Sequence, residues 1–130
     1  DDPAPNGRHA SARTLLLCTG KVYYDLVEEA AKRGDDRPPI ARVEQLYPFP
    51  ERELKELLSR YPAVTDVAWV QEEPRNMGAW SFIEPRLRTI LSTGTTLRYI
   101  GRPERASPAE GYTSAHKAEQ ARIVDEALGK

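Results

Sequence analysis

Two adjacent acids, Glu72 and Glu73, sit in the stretch WVQEEPRNMGAW, residues 69–80. A pair of carboxylates is the raw material of general acid–base chemistry or glycoside hydrolysis, provided both face one substrate. Glycosidase carboxylates stand roughly 5–9 Å apart and come from different segments. Neighbours on a strand point to opposite faces, so a strand continuing through these two residues sends them apart. The spacing favours structural work. One acid is placed to accept hydrogen bonds from the free N–H groups of a helix starting near Met77, and the other to meet an arginine across a domain contact. Trp69 and Trp80 read as core or interface anchors, and Asn76-Met77-Gly78 reads as a tight turn.

Other chemistry is thinly represented. Gly20-Lys21 ends like a phosphate-binding loop, but Leu15 and Val22 break the required G-x-x-x-x-G-K-[ST] pattern. The dinucleotide fingerprint G-x-G-x-x-G and the nucleophile elbow G-x-S-x-G do not occur. The two histidines, His9 and His116, lie far apart in the chain, and the single cysteine excludes an internal disulfide or a multi-cysteine zinc site. Cys18 falls in an apolar run and reads as a small buried hydrophobe. No catalytic residue and no metal ligand is assigned.

The elements that must position these residues alternate. LLLC (15–18) is a buried strand with a glycine turn after it, and Tyr23, Leu26, Val27 and Ala30 repeat at helical spacing, with Gly34 as a stop. A second strand starts with Ile40 and Val43. Pro50 opens a helix whose Leu54, Leu57 and Leu58 share a face. DVAWVQ (66–71) is apolar on both faces, Val67 and Trp69 on one, Ala68 and Val70 on the other, as in a parallel sheet covered by helices. A third helix carries Pro85, which predicts a kink or a late restart. TLRYIG is a fourth strand, and a closing helix begins with Ser114 as N-cap. The order predicts an α/β fold, a mostly parallel sheet flanked by helices. Residues 1–12, polar and proline-rich, read as a flexible lead-in or linker, and 13–130 as one domain.

Ligands of open α/β sheets sit beyond the carboxyl ends of the strands. Thr19, Lys21, Gln71 and Arg102 all fall at such ends. Arg42, Arg75, Arg98, Arg102 and Arg105 invite an anion-binding reading, with Arg102 foremost because Gly101 lets a ligand approach the backbone. The net charge of −1 gives no field that draws the chain to nucleic acid or an anionic membrane, and no apolar run approaches a membrane span. Two further readings follow from the residues alone: an autonomous nucleotide- or anion-binding module, and a small hydrolase using Glu72 or Glu73.

Five stretches in order, LLLCTGKVYYDL, RVEQLYPFP, WVQEEPRNMGAWSFIEPRL, YIGRPERASPAEGY and HKAEQ, span nearly the whole chain after position 12. Together they closely resemble the C-terminal domain of 2-oxoglutarate dehydrogenase of the bacterial type. The resemblance implies a transketolase C-terminal-like three-layer architecture and a cytoplasmic location. It implies a parent enzyme that decarboxylates 2-oxoglutarate on thiamine diphosphate and Mg²⁺ and passes succinyl to the lipoyl arm of a dihydrolipoyl succinyltransferase component in the citric acid cycle. The Gly-Asp-Gly cofactor motif of that enzyme is missing here. The domain alone is therefore expected to be inactive, to bind no cofactor, and to serve assembly and regulation with the rest of its own chain and a homodimer partner. Glu72, Glu73, Asn76, Gly78, Trp69 and Trp80 are its expected structural or interface residues. Some members of the family bind acetyl-CoA or AMP. Arg102, with Thr19, Lys21 and Gln71 beside it, is the matching region, although Pro103 stands where some regulated relatives carry a second basic residue.

Overall fold

In a computed structural model, residues 11–33, 37–46, 48–102 and 113–129 are described; the side chains of 113–116 are not. Gly34, Arg105 and His9, and the side chains of Ser114 and His116, named above for their sequence context, lie outside what is described, as does most of the 1–12 lead-in. The elements are β1 (Thr14–Cys18), α1 (Val22–Lys32), β2 (Ile40–Arg42), α2 (Glu51–Ser59), β3 (Asp66–Pro74), α3 (Trp80–Ile90), β4 (Thr96–Arg102) and α4 (Thr113–Ala127). The four strands form one sheet in the order β2-β1-β3-β4, and every pairing is parallel.

Strand alternation divides the core in two. Leu15 and Leu17 of β1, Val67 and Trp69 of β3 and Leu97 of β4 face α2 and α3, where Leu54, Leu57, Trp80, Ile83 and Leu87 meet them. Leu16, Cys18, Ala68, Val70 and Ile100 face the other way, onto Val22, Leu26 and Ala30 of α1 and Ile123, Val124 and Ala127 of α4. The result is three layers, helices over both faces of the sheet. The side of the sheet taken by each crossover helix follows the direction of travel. From β1 to β2 the chain moves one way with α1 on one face; from β2 to β3 and on to β4 it moves back, with α2 and α3 on the other. A single crossover hand requires this switch. Each fully buried aliphatic side chain contributes about 1.5–3 kcal/mol relative to exposure, so the central strands supply most of the sheet's hold.

Three boundaries differ from the sequence reading. β3 does not stop at Gln71 but runs to Pro74, with a register shift against β4 between Val70 and Pro74. β2 is only three residues long. Val43 lies past its end, yet it is buried and its N–H donates to the Cys18 carbonyl at 2.7 Å. α3 begins at Trp80 rather than near Met77, and it runs through Pro85 as one helix. Pro85 lacks the N–H that would reach the Ser81 carbonyl, but Trp80, Ile83 and Leu87 on the buried face hold the turns on both sides of it.

Candidate functional site

The strand order reverses between β1 and β3, so the crevice where ligands of such sheets bind opens between their carboxyl ends. Gly20, at φ 80°, makes the turn out of β1 that places Lys21 at the mouth of this crevice. The Lys21 ammonium lies 3.1 Å from Asp25 Oδ2 on α1 and 3.2 Å from Glu72 Oε1 on β3. Gln120 of α4 donates to the same Asp25 oxygen at 2.8 Å. Partial burial pulls the Lys21 pKa down, but the hydrogen bonds to Asp25 and Glu72 outweigh it and hold the ammonium above its ordinary value. Thr19 is half-buried beside it. The crevice mouth is thus spanned by an internal ion pair.

Glu72 and Glu73 diverge, as the extended β3 demands. Glu72 turns to Lys21. Glu73 is exposed, and its carboxylate lies over Gly78, where an added Cβ would stand 3.0 Å from Glu73 Oε1. Gly78 has φ 68°, a backbone conformation that glycine adopts without strain. The two acids therefore present no shared face to a substrate. The expectation that one of them caps the following helix is corrected: the N-cap residue is Ala79, no side chain caps it in the usual manner, and the first helical N–H, that of Trp80, donates to Gln71 Oε1 at 3.1 Å.

Gln71 is the organising residue of this end of the molecule. It is fully buried. Its Oε1 accepts from the Trp69 indole Nε1–H at 2.8 Å as well as from Trp80. Its Nε2 donates to the carbonyls of Glu73 (3.1 Å), Pro74 (3.0 Å) and Met77 (2.9 Å). One amide thereby ties β3, the 74–79 turn and the start of α3 together. Both ends of the amide are occupied, so Gln71 has nothing left for a ligand. Its sequence context held a signal: a polar residue following four apolar ones in a strand covered on both faces must find internal partners.

Arg102 was expected to reach a ligand past Gly101. Instead its side chain is only 2% exposed. The room left by Gly101 is also taken: a Cβ there would stand 2.5 Å from the Tyr99 hydroxyl and 2.7 Å from the Gln71 carbonyl. The Arg102 carbonyl accepts from the Tyr99 hydroxyl at 2.6 Å and from the Arg75 N–H at 3.1 Å. Burial raises the Tyr99 pKa above its ordinary 10.0. Arg75 lays its guanidinium over the Tyr99 ring (4.9 Å) and the Trp80 ring (5.8 Å), which themselves meet at 5.5 Å. Arg122 of α4 donates to the Gly101 carbonyl at 2.7 Å. The remaining arginines are spread out. Arg98 forks onto Asp66 at the opposite, amino end of the sheet, and Arg42 stacks on Tyr23 and Tyr24 near the β2 edge. Among the described residues these arginines form no common anion site.

Cys18 is sealed in the α1/α4 half of the core, its thiol 3.8 Å from the Ala41 carbonyl, and burial pushes its pKa up to about 12. Such a thiol is no nucleophile at neutral pH. Among the described residues no three His, Cys, Asp or Glu side chains gather to hold a metal ion, and no helix is long and apolar enough to cross a membrane. What this end of the sheet can do is hold one turn rigidly and present Glu73, Arg75 and Asn76, all exposed, along its rim.

Comparison with known proteins agrees with the pattern of these residues. A family model described as 2-oxoglutarate dehydrogenase C-terminal matches residues 1–128. The chain is 52% identical over 118 residues to the 2-oxoglutarate dehydrogenase E1 component of Exiguobacterium sp., an alignment covering 89% of this chain and 12% of that protein. It is 51% identical over 120 residues to the E1 component of Shouchella clausii, covering 91% and 13%. The Geobacillus kaustophilus E1 component is 45% identical over 131 residues, covering 100% of this chain and 14% of the relative. The chain thus spans about an eighth of the length of the curated relatives it matches.

Proposed function

We propose, for a chain that belongs to the 2-oxoglutarate dehydrogenase C-terminal family, that it acts as the assembly and regulatory domain of a 2-oxoglutarate dehydrogenase E1 component. In this reading the longer enzyme decarboxylates 2-oxoglutarate and delivers succinyl to the lipoyl group of the succinyltransferase, in the cytoplasm. Thiamine diphosphate and Mg²⁺ supply the electron sink for decarboxylation in other parts of that enzyme. The observation that carries the proposal is the use made of WVQEEPRNMGAW. Its most chemically suggestive residues are committed to holding the fold, with Gln71 buried and saturated, Glu72 paired with Lys21, and Glu73 turned to the other side.

The exposed rim of Glu73, Arg75 and Asn76, held from beneath by Gln71, Trp69, Trp80 and Gly78, is the surface we assign to contact with the rest of the enzyme or its dimer partner. A pre-organised turn loses little conformational entropy on docking. For an acetyl-CoA or AMP effector, Lys21 and Thr19 are the residues of the expected set with exposed surface, and an anion would have to compete there with Glu72 and Asp25. Residues 1–12 are assigned to a linker, ahead of a domain comprising 13–130.

Supplied with thiamine diphosphate, Mg²⁺, 2-oxoglutarate and an artificial electron acceptor, the isolated 130-residue chain is expected to show no 2-oxoglutarate-dependent reduction above a buffer control. Turnover that survives purification and scales with the chain's concentration would overturn the assignment.

A further inference from the structure

We draw no further inference here: the strongest candidate, the groove of about 490 Å³ between the edge strand β2 and α2, floored by Val43, Leu54 and Leu57 and rimmed by Arg42, Glu53 and Arg60, is an unpartnered apolar face, and nothing in the structure shows what covers it.

Discussion

Residues 71 and 72 are neighbours in sequence, yet they belong to two regions built on opposite principles. Gln71 anchors a buried clasp at the β3/β4 end of the sheet, where one neutral amide meets five backbone and side-chain groups. Glu72 belongs to a partly exposed ion pair at the β1/β3 mouth, where the Lys21 side chain is 65% exposed. Water can replace most of what the second region offers and little of what the first does. A buried polar group left without its partner costs about 1–3 kcal/mol, whereas an exposed ion pair contributes about 0–1 kcal/mol. The comparison teaches that the chemically eye-catching acids of this motif are the less important half of it, and that the motif's weight lies in an uncharged residue beside them.

The largest effect is expected from Gln71→Leu, which keeps the volume and removes every hydrogen bond of the clasp. It strands the Trp69 indole N–H, the Trp80 N–H and three carbonyls. Chemical unfolding in urea should show a loss of about 3–5 kcal/mol. A loss below about 1 kcal/mol would mean that the clasp is not the organising contact.

A second test uses burial in the other half of the core. The folded Cys18 thiol has a pKa of about 12, against an ordinary 9.0. Because the folded pKa is raised, the folded chain keeps a proton that the unfolded chain loses. Cys18 therefore adds stability that is fully present below about pH 9 and fades as pH climbs toward 12. The slope of unfolding free energy against pH between about 9 and 11 should be steeper in the parent than in Cys18→Ala, by up to about 1.4 kcal/mol per pH unit. Equal slopes in the two proteins would show that the thiol is not sealed from water.

The smallest effect belongs to the ion pair. Lys21→Ala should lower stability by less than about 1 kcal/mol, and the difference should vanish in about 1 M salt. A cost as large as that of Gln71→Leu, or one that salt leaves untouched, would erase the contrast between the two regions.

Much of the architecture was legible because it rests on periodicity. The alternation of strands and helices, the two apolar faces of 67–70 and the inward Leu54 and Leu57 are local patterns that survive into the fold unchanged. The errors arose where a long-range contact overrode a local rule. Pro85 reads as a kink or a late restart, and packing on both sides of it carries α3 through without a restart. Gly101 reads as an opening for a ligand, but the missing side chain makes room for Tyr99, two residues earlier on the same strand. Arg102 reads as the first residue to meet an anion because it follows a strand end and a glycine, and here it is buried. An acid reads as the natural cap for a helix start, and an amide that first accepts from an indole does the work. The divergence of Glu72 and Glu73 was the part of the site that sequence could give, since it needs only the period of a strand. Which groups Gln71 reaches depends on the register of β3 against β4 and on the path of the 74–79 turn, and neither is written in local composition.

We propose that Glu72 and Glu73 support the domain and take no part in proton transfer. The most direct measurement is the rate of 2-oxoglutarate decarboxylation by the longer enzyme we propose this domain belongs to, compared between the parent and Glu72→Gln. A kcat within about threefold of the parent is expected, because general acid–base catalysis by a removed carboxylate is worth about 10²–10⁴-fold and none is assigned to Glu72. A fall of a hundredfold or more in kcat, with the variant as stable as the parent, would contradict it.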